Sequence, residues 1–117
     1  MNGRLSWASE MIAAVFKSAG IIIAAPTYEY KLFPPVAAAL NEIGRKRITG
    51  KLAFRFGSYG WSGGAERELN EIMERNKMNW DFTKSVEFDG APKGEDLAKI
   101  ETKVLELIKK MKEKVIE

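Results

Sequence analysis

The sequence contains neither cysteine nor histidine among its 117 residues. The chain therefore forms no disulfide, has no thiol nucleophile, and lacks the two side chains that most often bind zinc. It has no apolar run of about 18 residues, so we expect no membrane span. Its N-terminus has no long hydrophobic segment behind a basic stretch, so we expect no secretory leader. It also has no His–carboxylate pair, nucleophile elbow or P-loop motif. These absences favour a cytoplasmic protein with no catalytic residues of its own.

The charged residues are nearly balanced, with 19 Lys and Arg against 16 Asp and Glu and a net charge of +3. The one dense basic cluster, Arg45-Lys46-Arg47, follows a helical pattern. Cations that complement a helix C-terminus are the interpretation we favour, and a nucleic-acid patch is the alternative. We therefore expect no nucleic-acid partner. With 45% hydrophobic residues, we expect one domain over residues 1–117.

Helix and strand patterns alternate along the chain. Residues 20–25, 51–56 and 80–88 predict strands, the first buried on both faces and the third a half-exposed edge strand. Apolar residues at helical spacing predict a helix before the first strand, between successive strands and after the last. The second of these helices is expected to start at Pro34-Pro35 and to end at Gly44. This order predicts a three-layer α/β fold whose parallel strands follow one another in sequence order.

Two loops with glycines and aromatics follow the first two predicted strands. The first opens with Pro26-Thr27-Tyr28, and the second reads Gly57-Ser58-Tyr59-Gly60-Trp61-Ser62-Gly63-Gly64. Ligands of open parallel sheets bind at the carboxyl ends of the strands. Small residues beside Tyr and Trp at that edge would form a slot for a flat aromatic ligand, and a flavin is the obvious candidate. The alternatives are plain turn chemistry for the glycines and surface packing for the aromatics.

Taken in order, and with Lys31-Leu32-Phe33-Pro34-Pro35-Val36-Ala37 between them, these motifs closely resemble the flavodoxin-like domain of A-type flavoproteins, the flavodiiron proteins. The resemblance runs from about Glu10 to the C-terminus. It implies an FMN-binding, electron-transfer module of an oxidoreductase, with redox chemistry only through the bound flavin. The cofactor-binding residues that it implies are Pro26, Thr27, Tyr28, Glu29, Ser58, Tyr59, Gly60, Trp61 and Gly63.

The resemblance begins at the helix before the third strand of the complete flavodoxin-like fold. The first strand, the phosphate loop, the first helix and the second strand have no counterpart, so we expect an incomplete fold with weak or absent FMN binding. The histidines of the family's di-iron centre are also missing. Any metal chemistry is therefore expected on another domain or chain, with a di-iron or redox protein as a possible partner.

The missing elements would leave the strand at residues 20–25 as an open edge. An uncharged edge strand is rarely left unpaired, so we expect a homodimer or a complementing chain along the edge between Ile21 and Ala25. The alternative functions are thus a truncated, non-enzymatic relative that homodimerises, or one half of a split flavoprotein. Arg55 departs from the family pattern. We expect it to face the space of the missing first helix or to pair with an acidic residue of a partner.

Overall fold

The computed structural model describes residues 3–24, 27–28, 31–59 and 64–116, with only the backbone of residues 3–9, 27, 28, 31, 59, 115 and 116. These residues form four helices and six strands. The helices are α1 (Gly3–Lys17), α2 (Pro34–Arg45), α3 (Gly64–Arg75) and α4 (Gly94–Ile116). The strands are β1 (Gly20–Ala24), β2 (Thr27–Tyr28), β3 (Lys31–Leu32), β4 (Leu52–Tyr59), β5 (Asp81–Phe82) and β6 (Val86–Asp89).

The main sheet is parallel and is centred on β4. On one side β4 pairs with β1, and on the other it pairs with β5 and then with β6. β5 and β6 therefore occupy one strand position, and the three positions follow the order of the sequence. This arrangement confirms the predicted α/β fold with a parallel sheet.

Helices cover both faces of the sheet. On one face, Leu40 of α2 and Leu69 of α3 pack against Ile23 and other apolar residues of the larger core cluster. On the other face, Leu107 of α4 packs with Phe54 of β4 and Val86 of β6. Burial on both sides of β4 accounts for the apolar residues that flank Arg55 in its sequence. The result is the three-layer architecture that the alternating pattern predicts.

Strand β4 is longer than its sequence suggests. The prediction ended the strand at Phe56 and placed Gly57, Ser58 and Tyr59 in a loop, which is wrong. These three residues continue the ladder by pairing with Glu87, Phe88 and Asp89 of β6. Backbone hydrogen bonds from a distant strand override the local turn propensity of Gly-Ser.

The third strand position contains a one-residue bulge. Ala53 pairs with Phe82 and Phe56 pairs with Val86, so four steps along this strand match three steps along β4. One extra residue reverses which face of the sheet each following side chain points to. Phe82 consequently packs in the larger core cluster, whereas Val86 packs against α4. The regular alternation predicted across residues 80–88 is wrong for this reason.

Gly44 lies within α2 and does not end it. A Cβ at this position would stand 2.5 Å from Cγ and 2.7 Å from Cβ of Asn76, which follows α3. The missing side chain therefore allows the C-terminal ends of α2 and α3 to touch. The helix ends one residue later at Arg45, and the predicted stop at Gly44 is replaced by this packing requirement.

Strand β1 has an open edge. Its ladder hydrogen bonds join it to β4 on one side, and no other described strand pairs with it. Its two faces are covered unequally: Ile23 is buried, whereas Ile22 on the α4 face is 48% exposed. Within this chain the strand is therefore not buried on both faces, because α4 lies mainly over β4 and leaves Ile22 uncovered.

Helix α4 presents exposed apolar side chains toward this edge. Lys110 lies on its β5 side, with Nζ 3.9 Å from Oδ2 of Asp81, and Met111 lies against Gly20 of β1. With about 100° between successive helix residues, Ile108 lies about 60° and Leu105 about 120° further around the helix from Met111, toward the open edge. Both are exposed, Ile108 at 40% and Leu105 at 58%.

Among the described residues, no helix is long and apolar enough to cross a membrane.

We predict that Gly44→Ala destabilises the protein by about 1–3 kcal/mol, since the added methyl group would overpack the contact with Asn76. Gly94→Ala is the matched control, because no atom lies within 4 Å of the Cβ it would add. Urea unfolding of both variants measures the difference. Equal unfolding free energies for the two variants would contradict the close helix contact.

Candidate functional site

The carboxyl ends of β1 and β4 lie side by side at one edge of the sheet. The parallel ladder ends by pairing Ala24 with Phe56, so the chain leaves both strands in the same direction. β4 then continues along β6 to the pair of Tyr59 and Asp89. The two segments predicted to hold the ligand thus begin at neighbouring strand positions. This is the edge at which open parallel sheets bind ligands.

Of the predicted cofactor-binding residues, only Ser58 is described together with its side chain. It is half-buried in β4 and pairs with Phe88. Thr27 and Tyr28 form β2 and Tyr59 ends β4, all described by their backbones alone. Pro26, Glu29, Gly60, Trp61 and Gly63 lie outside the described residues, so their roles stay predictions.

The segment after β1 contains a short hairpin that is fixed to α3. Its strands β2 and β3 pair antiparallel, with Thr27 opposite Leu32. Leu32 is buried in the larger core cluster, and its backbone N–H donates to Oε1 of Glu68 at 2.7 Å. Because α3 also follows the segment after β4, one helix supports both halves of the candidate site.

Arg55 of β4 is fully buried between two carboxylates. Its Nη1 donates to Oε2 of Glu66 at 3.0 Å and to Oε2 of Glu87 at 3.1 Å. The second oxygen of Glu66 accepts from Oγ of Ser85 at 3.1 Å. Arg55 therefore faces α3 and pairs within its own chain. Both expectations for this residue, the space of the missing helix and a partner's acidic residue, are wrong.

The bulge in the third strand position brings Glu87 to this guanidinium. Glu87 pairs with Gly57, and both lie on the same face of the sheet as Arg55, two residues earlier in β4. Without the extra residue, Glu87 would point to the α4 face. Gly57 is buried and has no side chain, so it adds no bulk between Arg55 and Glu87. The bulge thus provides one of the two carboxylates that compensate a buried charge.

This ion-pair cluster holds the start of α3 against β4. Glu66 lies in the first turn of α3, and Arg55 lies near the end of β4. The segment that joins β4 to α3 has its first end fixed by the ladder with β6 and its second end fixed by Arg55. The cluster therefore supports the predicted flavin segment from behind, as a positioning device and not as a catalytic group.

Sequence reasoning singled out Arg55 but missed its partners Glu66 and Glu87, and Ser85, which donates to Glu66. One signal was available: a lone arginine in a buried strand requires carboxylates, because an unpaired buried charge is costly. The first-turn position of Glu66 could be read from the sequence. The assignment of Glu87 could not, because it depends on the bulge.

Helices α2, α3 and α4 begin near this edge, and each of the three has a first turn poorly suited to a phosphate. α2 starts with Pro34 and Pro35, which have no N–H to donate. α3 has Glu66 in its first turn, and α4 has Glu95 and Asp96. Helix N-termini bind anions through free N–H groups and their positive dipole end, which these residues remove or neutralise.

Comparison with known sequences gives partial matches to much longer proteins. No family model matches the chain. It is 36% identical over 91 residues to the anaerobic nitric oxide reductase flavorubredoxin of Aeromonas hydrophila, covering 77% of this chain and 18% of that protein. It is 44% identical over 67 residues to the flavorubredoxin of Pectobacterium atrosepticum, covering 56% and 13%. The chain thus spans less than a fifth of the length of these relatives.

Solved structures give the same relationship. The rubredoxin:oxygen oxidoreductase of Desulfovibrio gigas superimposes with a TM-score of 0.76 at 26% identity, covering 86% of this chain and 25% of that one. The flavodiiron core of Flv1 from Synechocystis gives 0.78 at 26% identity, covering 91% and 26%. An archaeal flavodoxin, at 24% identity and a TM-score of 0.72, supports the fold alone and covers 86% and 71%. These matches confirm the resemblance that the motifs predicted.

We predict that Glu87→Gln lowers the unfolding free energy by about 1–3 kcal/mol, because it removes one charged partner of the buried Arg55. Glu106→Gln is the control. It breaks the ion pair of Glu106 with Lys103 on the surface of α4, which should cost within about 0.5 kcal/mol. Chemical denaturation of both variants gives the comparison. Equal losses in the two variants would show that Arg55 does not depend on Glu87.

Proposed function

We propose that this chain, a flavodoxin-like domain related to those of the A-type flavoproteins or flavodiiron proteins, binds a flavin and passes electrons through it. The observation that carries the proposal is the parallel pairing of β1 with β4. This pairing brings the segments after the two strands to one edge of the sheet, where flat ligands bind in such folds. The relatives named as flavorubredoxins support the same class of cofactor.

A bound flavin supplies the redox chemistry, and the chain supplies its position and electrostatic environment. By the family resemblance, the segment from Thr27 to Glu29 forms one wall of the site, and Tyr59 and Trp61 flank the ring from the other. The residues that the structure describes support these two segments from the adjoining elements. Glu68 fixes the hairpin after β1, and Arg55 fixes the start of α3. The di-iron chemistry of the relatives then belongs to another domain or chain, which would exchange electrons with this one.

We propose that the site binds the phosphate of FMN only weakly. The N-termini of α2, α3 and α4 carry prolines or carboxylates, and the resemblance includes no phosphate loop. Each charge-assisted hydrogen bond to a phosphate contributes about 1.5–3 kcal/mol, so its absence removes most of the advantage of FMN over riboflavin. We therefore propose that the ring is recognised and that the phosphate contributes little.

We predict that riboflavin binds nearly as tightly as FMN. The measurement is a titration of each flavin followed by quenching of its fluorescence. A thousandfold preference for FMN would contradict the proposal and would indicate a phosphate site elsewhere. Trp61→Ala should weaken both flavins. The control is Phe16→Ala, since Phe16 is 68% exposed and lies at the opposite end of β1, so this variant should bind like the parent.

The open edge of β1 favours a second, compatible function, the assembly of a homodimer. The exposed Ile22, Leu105 and Ile108 lie on the same face of the sheet as α4 and toward that edge. A two-fold contact would pair two β1 strands antiparallel and bring the two exposed stripes of α4 onto one face. A non-enzymatic dimer and a half-domain completed by another chain both use this surface. A second copy is the occupant we propose, because the uncharged edge of β1 can pair with the same edge of another copy across a two-fold axis.

We predict that Ile22→Lys dissociates the dimer, since it places a charge in the centre of the apolar seam. Ala38→Lys on the exposed surface of α2 adds the same charge away from the seam and should leave the assembly intact. Light scattering at micromolar concentration measures the mass of each variant. A parent protein that is monomeric under these conditions would contradict the proposed assembly.

A further inference from the structure

A polar cleft lies at the opposite edge of the sheet from the predicted flavin segments. It occupies about 630 Å³ where α2 and α3 end and where β4 begins. Its side chains are Arg45, Arg47, Thr49, Arg75, Asn76 and Lys77. Four of these are cations, and none is acidic. The cleft is therefore a concentrated positive site in a chain whose overall charge is only +3.

The two helices that form the cleft end in the same unusual way. In α2, the N–H of Arg47 donates to the carbonyl of Gly44 and that of Ile48 to Ile43, which closes a Schellman motif. In α3, Lys77 and Met78 repeat the pattern with Glu74 and Met73. The left-handed position of this motif normally holds glycine. Here it holds Arg47 with φ 58° and Lys77 with φ 50°.

Neither cation is there because the backbone favours it. A residue with a Cβ is disfavoured at positive φ, so glycine would be the more stable choice at both positions. Such strained positions are concentrated at functional sites. Both strained residues also reach the same cleft, because the contact between Gly44 and Asn76 places the two helix ends side by side.

The charge of the cleft exceeds what the helix ends explain. Arg45 is hydrogen-bonded to Glu42 and lowers the pKa of that carboxyl, which therefore stays ionised and neutralises it. Within the described residues, Arg47, Arg75 and Lys77 make no ion pair. Two helix C-termini together present about one negative elementary charge, so about two of these three positive charges are left uncompensated.

We propose that this cleft binds a small polyanion with at least two phosphate groups. Its volume lies in the usual range of small-molecule sites, about 300–1,000 Å³. Guanidinium groups match the geometry of phosphate oxygens, and the hydroxyl of Thr49 adds a hydrogen-bond donor. Its walls are polar, which suits phosphates better than an aromatic ring. A polyanion here would stand at the far edge from the flavin and would leave that site free.

The test is a calorimetric titration with inorganic pyrophosphate at physiological ionic strength. We expect one saturable site per chain. Arg47→Gln and Lys77→Gln should each weaken binding about tenfold, through the loss of one charge-assisted hydrogen bond. Lys109→Gln removes the same charge from the exposed surface of α4 and should leave the affinity unchanged.

Glycine at the same positions separates binding from stability. Arg47→Gly and Lys77→Gly should lose affinity as the glutamine variants do, while the melting temperature stays the same or rises because the strain is relieved. A falling melting temperature would show that the cations serve the fold. Absence of saturable binding at millimolar pyrophosphate, or an equal loss in Lys109→Gln, would overturn the proposal. A single-stranded oligonucleotide that binds while pyrophosphate does not would also overturn it, in favour of a nucleic-acid site.

Discussion

The buried guanidinium of Arg55 is the constraint on which the candidate flavin site depends. A charge in the central strand of a small domain is stable only if carboxylates surround it, because desolvation is costly and water is excluded. Glu66 and Glu87 meet this requirement from α3 and β6. The same contacts hold the start of α3 against β4, and they require Glu87 of β6 to point to the α3 face of the sheet. A residue that departs from the family pattern thus connects three elements below the segment between β4 and α3.

The open edge of β1 is the second constraint. No described strand pairs with its outer side, and Ile22 is exposed beside it. The exposed Leu105 and Ile108 of α4 extend the same surface. A complete flavodoxin-like fold covers such a strand with further elements, whereas the described residues of this chain leave it uncovered. The proposed flavin site, the proposed assembly and the proposed polyanion site therefore involve three separate parts of one small sheet: its carboxyl edge, its open side and its amino edge.

The sequence was sufficient to predict the layers and the strand order, because apolar runs and alternation depend on burial within a few neighbouring residues. It also led to the family resemblance, since the motifs are specific as a set, whereas the ligand role of the two segments stays a prediction. It was insufficient wherever the local structure depends on a residue that lies far away in the sequence. The extension of β4 through Gly57 requires β6, and the faces of Phe82 and Val86 depend on a bulge that no local pattern reveals. Gly44 resembled a helix stop, but its role is contact with Asn76.

The central claim is that a flavin binds at the edge shared by the ends of β1 and β4. Amide chemical-shift mapping by NMR during a titration with riboflavin tests it most directly, because riboflavin has the ring and no phosphate. The account predicts shifts confined to residues 25–29 and 57–64 and to the α3 turn that Arg55 holds. Shifts at the cleft between the ends of α2 and α3, or no shifts at saturating riboflavin, would contradict it.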